Sequence, residues 1–110
     1  MNNEIDQFIE SFQGYIFIYL SDFREPSESE LESFLQSIET KYFNYIRYIH
    51  LSGAGHRKWM EKFQVFGTPA LLAFHQGKLN LRLLGQLKVD ILKQLLWGRV
   101  FTDPRFNFVP

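Results

Sequence analysis

The chain of 110 residues contains no cysteine. Thiol–disulfide exchange requires an attacking thiolate, so this chain cannot carry it out. Disulfide bridges and thiolate metal sites are excluded for the same reason. Disulfides are rare in proteins of reducing compartments, and their absence here agrees with a cytoplasmic protein. We therefore expect a cytoplasmic protein without thiol chemistry.

The chain also lacks an excess of charge of either sign, since 12 basic residues face 12 acidic ones. No overall field attracts it to nucleic acids or to acidic membranes. Its basic residues do not cluster among its aromatic residues, as they would on a nucleic-acid stacking surface. No apolar run is long enough to span a bilayer, and residues 1–4 are polar rather than typical of a signal peptide. We expect neither a nucleic acid nor a membrane as partner.

Motifs for metals and cofactors are missing as well. The three histidines, His50, His56 and His75, are scattered along the chain, and no acidic residue completes a recognisable ligand spacing. The only glycine-rich loop, at 53–55, lacks the third glycine of the dinucleotide fingerprint. The sequence therefore predicts no metal and no cofactor.

What the chain does contain is a high share of aromatic residues, 17%, and a distinctive stretch at residues 67–77. Residues 70–74 form an unbroken apolar run, typical of a strand buried on both faces. Pro69 cannot donate a ladder hydrogen bond and suits the entry to that strand. Gly77 suits a hairpin position with positive φ. The return strand places apolar residues at alternate positions, namely Leu79, Leu81 and Leu83.

Periodicity predicts the other elements. The predicted helices cover residues 5–12, 27–38, 56–64 and 88–96, and the predicted strands cover 15–20, 45–50, 70–74 and 79–83. Ser27 or Ser29 is predicted to cap the second helix in a capping-box pattern, and Gly98 to end the last one. The order αβαβαββα implies parallel strands joined by helices, followed by an antiparallel hairpin.

This order and spacing resemble the thioredoxin family. The residues that carry the resemblance are Thr68, Pro69, Phe74, Gly77 and Gly85, followed by the closing helix. The resemblance implies an α/β fold with a mixed sheet of four to five strands flanked by helices, and a cis proline before the third core strand. We interpret residues 1–98 as a thioredoxin-like domain and residues 99–110 as an apolar C-terminal tail.

The redox motif of the family has no cysteine in this chain. The family carries a Trp-Cys-Gly-Pro-Cys type motif after its first central strand, and the matching residues here are Phe23, Arg24, Glu25, Pro26 and Ser27. The aromatic residue and the proline match, whereas both cysteine positions are replaced. The resemblance thus implies a degenerate active-site loop and no catalytic residue, so we predict that the protein is not an enzyme.

Two residues of this loop permit another interpretation. Ser27 could act as a nucleophile only beside a base, which the motif does not provide, and helix capping is the favoured role. Arg24 could bind an anion near a helix N-terminus, although a solvated loop arginine paired with an acidic neighbour is favoured.

A binding groove could persist without the cysteines. In the family, an extended partner segment pairs with the backbone before the cis proline, which implies a peptide-binding groove at Phe23, Gly67, Thr68 and Pro69. The alternative is that the bend serves the fold alone. We expect a non-catalytic module that binds a protein or peptide partner, as an adaptor or an assembly chaperone does.

The tail is too apolar for a free linker. It carries Phe101, Phe106 and Phe108 as candidate docking residues. We favour a tail that folds back over its own domain, because proteins avoid large exposed apolar patches. Alternatively, the tail docks on a partner or a second copy, for example as an added edge strand. The chain would then be a structural subunit or a homodimer that uses the aromatic tail and an exposed face of the sheet, rather than a monomeric adaptor.

Overall fold

The computed structural model describes residues 4–22, 26–85 and 87–99. Four helices and four strands follow one another in the predicted order, which confirms the α/β assignment. They are α1 (Glu4–Ser11), β1 (Tyr15–Leu20), α2 (Pro26–Lys41), β2 (Ile46–Leu51), α3 (Arg57–Lys62), β3 (Ala70–His75), β4 (Lys78–Leu84) and α4 (Val89–Arg99). A single 3₁₀ turn at Ala54–His56 leads into α3. None of the described helices is long and apolar enough to cross a membrane.

The strands form one four-stranded mixed sheet in the order β2-β1-β3-β4. β1 is parallel to β2 and antiparallel to β3, and β3 is antiparallel to β4. All six side chains of β1 are buried, as its unbroken apolar sequence predicts. We call the edge at Tyr15 and Ile46 the start end of the sheet, and the edge at Leu20 and Leu51 the finish end.

Alternate side chains of the central strands enter two hydrophobic layers. One layer lies under α2 and α4 and includes Phe17, Leu35 and Leu92. The other lies under α1 and α3 and includes Ile18 and Trp59. Full burial of such side chains stabilises the fold by about 1.5–3 kcal/mol each, so the core needs no covalent cross-link.

The β3–β4 hairpin shows one confirmed prediction and one that is wrong. Gly77 has φ 83° and Gln76 has φ 53°. The predicted positive φ at Gly77 is therefore confirmed. The register then shifts, because Phe74 pairs with Leu79 whereas Ala73 pairs with Leu81. A strand with an extra residue reverses the face of its side chains at that point. Leu79 is therefore exposed and does not share the buried face of Leu81.

The predicted helix ends also need correction. α2 begins at Pro26, so Ser27 and Ser29 lie inside the helix and neither is its N-cap. Proline is favoured at the first helical position because its missing N–H would have no helical partner there. α4 continues through Gly98 to Arg99, so Gly98 does not end the helix. The tail beyond α4 lies outside the described residues, and the division at residue 98 stays a prediction.

Polar contacts attach α1 to α3 on the same face of the sheet. The indole Nε1 of Trp59 donates to Asp6 Oδ1 at 2.9 Å. Lys62 Nζ lies 3.6 Å from Asp6 Oδ2. Trp59 is buried, so its N–H depends on this carboxylate for a hydrogen bond. A single acidic residue of α1 thus holds α3 at two points.

Hydrogen bonds also occupy the outer edge of β2. Tyr48 N donates to Glu39 Oε2 at 2.8 Å, and Ile46 N donates to the Tyr42 carbonyl at 2.8 Å. An edge strand with unpaired N–H groups invites pairing with another chain. The two acceptors cover this part of the edge, so strand addition there would have to displace them.

Candidate functional site

A cleft of about 460 Å³ lies at the finish end of the sheet. It is enclosed by the segment that follows β1, by the 3₁₀ turn and α3, and by the segment before β3. Its lining residues are Asp22, Gly53, Ala54, Arg57, Met60, Glu61, Val65, Phe66, Gly67 and Thr68. Three loops meet here because β1 and β2 end at this edge of the sheet and β3 begins there.

Asp22 connects these loops through both of its carboxylate oxygens. Oδ1 accepts hydrogen bonds from Ser52 Oγ and from the Ala54 N–H, each at 2.9 Å. Oδ2 accepts one from Thr68 Oγ1 at 3.2 Å. Asp22, the second residue after β1, thereby fixes the loop after β2 and the residue before the proline.

Gly53 packs closely against Thr68 and Asp22. A Cβ atom at this position would lie 2.4 Å from Thr68 Cγ2 and 2.8 Å from Asp22 Oδ2. Real Cβ atoms do not approach other atoms so closely, so a side chain here would force the two neighbours apart. Glycine lets the loop backbone pack directly against Thr68.

The hydrogen bonds keep the pKa of the Asp22 carboxyl below its usual value. The Ala54 N–H contributes most and the Ser52 hydroxyl follows, whereas desolvation acts in the opposite direction. The hydroxyl of Thr68 and the N–H of Gly53 lower the pKa further. Asp22 is therefore ionised at neutral pH and accepts these hydrogen bonds as a carboxylate.

The rim of the cleft combines an exposed aromatic side chain with charges of both signs. Phe66 is 79% exposed, although it directly follows the buried Val65. Arg57 and Glu61 also line the cleft. Phe66 therefore presents an apolar ring to water beside the cleft.

An exposed leucine lies at the end of β4, near the proline. Leu84 pairs with Ala70 across the β3–β4 ladder and is exposed. Gly85 N donates to the Pro69 carbonyl at 2.9 Å, so the end of β4 lies directly beside the bend. The Thr68–Pro69 peptide bond is cis.

The structure describes part of the groove expected from the sequence. Gly67 and Thr68 line the cleft, and Pro69 follows them at the start of β3. A Cβ atom at Gly67 would meet nothing within 4 Å, so the backbone is open on that side. The peptide-binding role of this segment stays a prediction.

The remaining predicted site residues cannot be placed in the cleft. Phe23, Arg24 and Glu25 lie outside the described residues. Pro26 and Ser27 form the first turn of α2. The tail residues Phe101, Phe106 and Phe108 also lie outside the described part of the chain, and their docking role stays a prediction.

Sequence reasoning missed Asp22 and Phe66. The sequence indicates only that Asp22 is an acidic neighbour of Arg24, because nothing in it links Asp22 to residues 30 and 46 positions later. Phe66 follows an apolar residue in an apolar region, and only the fold shows that it faces water. The one feature of the sequence that points to Asp22 is its position as a loop carboxylate just beyond a central strand, and this feature is weak evidence for a functional site.

The histidines form no metal site in the described part of the chain. His56 Nδ1 lies 2.8 Å from the Ser52 carbonyl, whereas His50 Nε2 lies 4.0 Å from Glu32 Oε1. Within residues 4–22, 26–85 and 87–99, no group of three or more histidine or acidic side chains could hold a metal ion.

Comparison with known proteins identifies the fold. No protein-family model matches the chain, and no curated protein sequence matches it. Among solved structures, oxidised thioredoxin from Plasmodium falciparum is similar with a TM-score of 0.71 and 17% identity over 89% of this chain and 91% of that one. A point mutant of thioredoxin from Halobacterium salinarum gives 0.71 and 15% over 89% and 84%. A designed protein gives 0.72 and 13% over 86% and 83%.

The chain therefore has a thioredoxin-like fold without cysteine. At these identities the likeness shows the fold alone. Thiol–disulfide exchange needs a thiolate that no residue here can provide. What the cleft offers is a fixed backbone segment, an exposed phenylalanine and a few charges, which is a set of groups for binding.

Proposed function

We propose that this chain is a redox-inactive thioredoxin-like module of the cytoplasm that binds a protein or peptide partner, as an adaptor or an assembly chaperone does. The observation that carries the proposal is that the cleft is lined both by the exposed Phe66 and by Thr68, which a hydrogen bond to Asp22 holds in place. An exposed aromatic side chain supplies apolar contact area, and fixed backbone groups beside it supply direction.

The anchoring of Thr68 supports binding because it reduces the entropy lost on association. Its hydroxyl donates to Asp22, and its methyl group packs on Gly53. A segment held in its binding conformation before the partner arrives does not have to be ordered afterwards. An extended partner segment would lie along Gly67 and Thr68 and place an apolar side chain against Phe66.

Co-purification with matched variants tests the proposal. We expect Phe66→Ser to lose a partner that the wild-type protein retains, while folding is unchanged because the side chain is mostly exposed. Leu79→Ser is the control, since Leu79 is also exposed but lies in the β3–β4 hairpin at the start end of the sheet. Asp22→Ala should weaken capture too, because it releases Thr68.

Equal recovery of every partner by the wild-type protein, Phe66→Ser and Asp22→Ala would contradict a binding role for the cleft. Sedimentation of the purified protein distinguishes the alternative function. A stable homodimer that persists in Phe66→Ser would favour a structural subunit over an adaptor.

A further inference from the structure

An aromatic patch lies at the start end of the sheet, away from the cleft, and consists of Phe43, Tyr45 and Arg47. Phe43 is 52% exposed and Tyr45 is 40% exposed. The Arg47 guanidinium lies 3.6 Å from the centroid of the Phe43 ring and 5.4 Å from that of Phe12. Arg47 Nε also donates to the Phe43 carbonyl at 3.0 Å. The patch is therefore held in place before anything binds to it.

The last helix lies on the α2 face of the sheet, whereas Arg47 packs on Phe12 at the α1 face, so a segment that leaves this helix has to pass around the start end to reach the patch. Gly85 N donates to the Pro69 carbonyl at the finish end, and α4 begins four residues later. Lys93 Nζ already lies 5.4 Å from the ring of Phe34, near the middle of α2. At 1.5 Å per residue, the rest of α4 extends about 9 Å further. Its final residue, Arg99, thus approaches the level at which α2 ends, two residues before Phe43.

We propose that residues 100–110 dock on the aromatic patch of their own chain. These 11 residues can span up to about 36 Å when extended, which is ample for the distance from the end of α4. They carry Phe101, Phe106 and Phe108. Phe106 and Phe108 alternate, so an extended segment would present both rings on one side. Asp103 supplies a carboxylate for the Arg47 guanidinium.

The size of the patch favours the chain's own segment over a second copy. A stable protein dimer buries about 800 Å² on each partner, far more than two partly exposed aromatic side chains provide. A short tether, in contrast, keeps the segment at a millimolar effective concentration, at which a few aromatic contacts are sufficient.

The outer edge of β2 does not offer free N–H groups at Ile46 and Tyr48 for pairing with an added strand. Glu39 and Tyr42 already accept the outward N–H groups of Tyr48 and Ile46. The segment therefore contacts the patch through side chains rather than by extending the sheet at these residues.

Paramagnetic labelling of the full chain tests the proposal, because the cysteine-free sequence gives a single labelling site. A nitroxide on Asn44→Cys, beside the patch, should remove most of the amide signal of residues 101–109. The same label on Lys58→Cys, exposed on α3, is the control and should leave those signals intact. Adding Phe43→Ser to the Asn44→Cys protein should restore them, whereas Phe66→Ser should not.

A mixed sample identifies the occupant. Isotope-labelled protein without nitroxide is combined with unlabelled protein that carries it, and the proposal predicts no loss of signal. Loss in the mixed sample would mean that a second copy occupies the patch and would overturn the proposal. Unattenuated tail signals with the Asn44→Cys label, or attenuation that persists in Phe43→Ser, would also overturn it.

Discussion

Replacement of Asp6 by alanine should destabilise the fold more than any other single change to an acidic residue of α1. The substitution leaves the buried indole N–H of Trp59 without its acceptor. A hydrogen bond to a charged group contributes about 1.5–3 kcal/mol to stability. The Lys62 ion pair adds at most a few tenths of a kcal/mol, since the lysine side chain is 56% exposed. We therefore expect a loss of about 2–3 kcal/mol in the free energy of unfolding.

Urea and thermal unfolding followed by circular dichroism measure this loss. For a domain of this size, the expected change corresponds to a melting temperature lower by roughly 8–12 °C. Asp6→Asn keeps an oxygen acceptor for the indole and should lose less than half as much. Lys62→Gln and Glu10→Ala, the latter an exposed acid on the same helix, should stay within about 0.5 kcal/mol of the wild type.

The indole proton provides a local readout. The Trp59 Hε1 resonance should shift, and its exchange with water should accelerate, in Asp6→Ala but not in Lys62→Gln. If Asp6→Ala unfolds within about 0.5 kcal/mol of the wild type, the argument that α1 is held through this carboxylate is refuted.

Three further predictions follow from the sites described above. Stabilisation by Asp22 is present above its usual pKa of 3.8 and is lost as pH falls through its lowered pKa. The urea midpoints of the wild type and of Asp22→Asn should therefore converge as pH falls from neutral to acid. A difference between the two midpoints that stays constant would contradict the hydrogen-bond network around Asp22. Arg24→Cys combined with Ser27→Cys should form an intramolecular disulfide and gain reductase activity; if mass spectrometry finds no such bond after oxidation, the alignment of this loop is wrong. Glu39→Ala exposes the Tyr48 N–H and should cost about 1–3 kcal/mol, with concentration-dependent association in sedimentation runs; a variant that stays monomeric at every concentration would contradict the role of Glu39 at this edge.

The order of the elements and the central strands could be predicted from the sequence because burial on both faces leaves a strong pattern. The six residues 15–20 are all apolar, and the structure buries all six. Pro69 and Gly77 have few conformational roles, so they marked the strand entry and the hairpin correctly.

The errors fall where backbone geometry rather than side-chain polarity decides the outcome. The reversal of faces at Leu79 depends on one extra residue in the ladder, and the apolar alternation continues through it without a mark. Gly98 lies inside α4 rather than at its end, because the pattern of Leu92 and Leu96 does not specify how far the backbone bonding extends.

The candidate site was harder to predict than the fold. Asp22, Ser52 and Thr68 are far apart in sequence, and their hydrogen bonds exist only because β1, β2 and β3 meet at one end of the sheet. A carboxylate that holds loops together has the same sequence signature as a solvated loop acid. Exposure of Phe66 likewise results from the path of the chain between α3 and β3, which composition does not reveal.

The most direct test of the central claim is site-specific photo-crosslinking at the cleft. A benzophenone amino acid replaces Phe66 in one variant and Phe43 in another, and both are irradiated in the native host. The account predicts a discrete adduct between the chain and a partner protein from position 66, reduced by Asp22→Ala, and no such adduct from position 43. If position 66 gives no adduct, or if both positions give the same one, the cleft is not the binding site and the proposed function is contradicted.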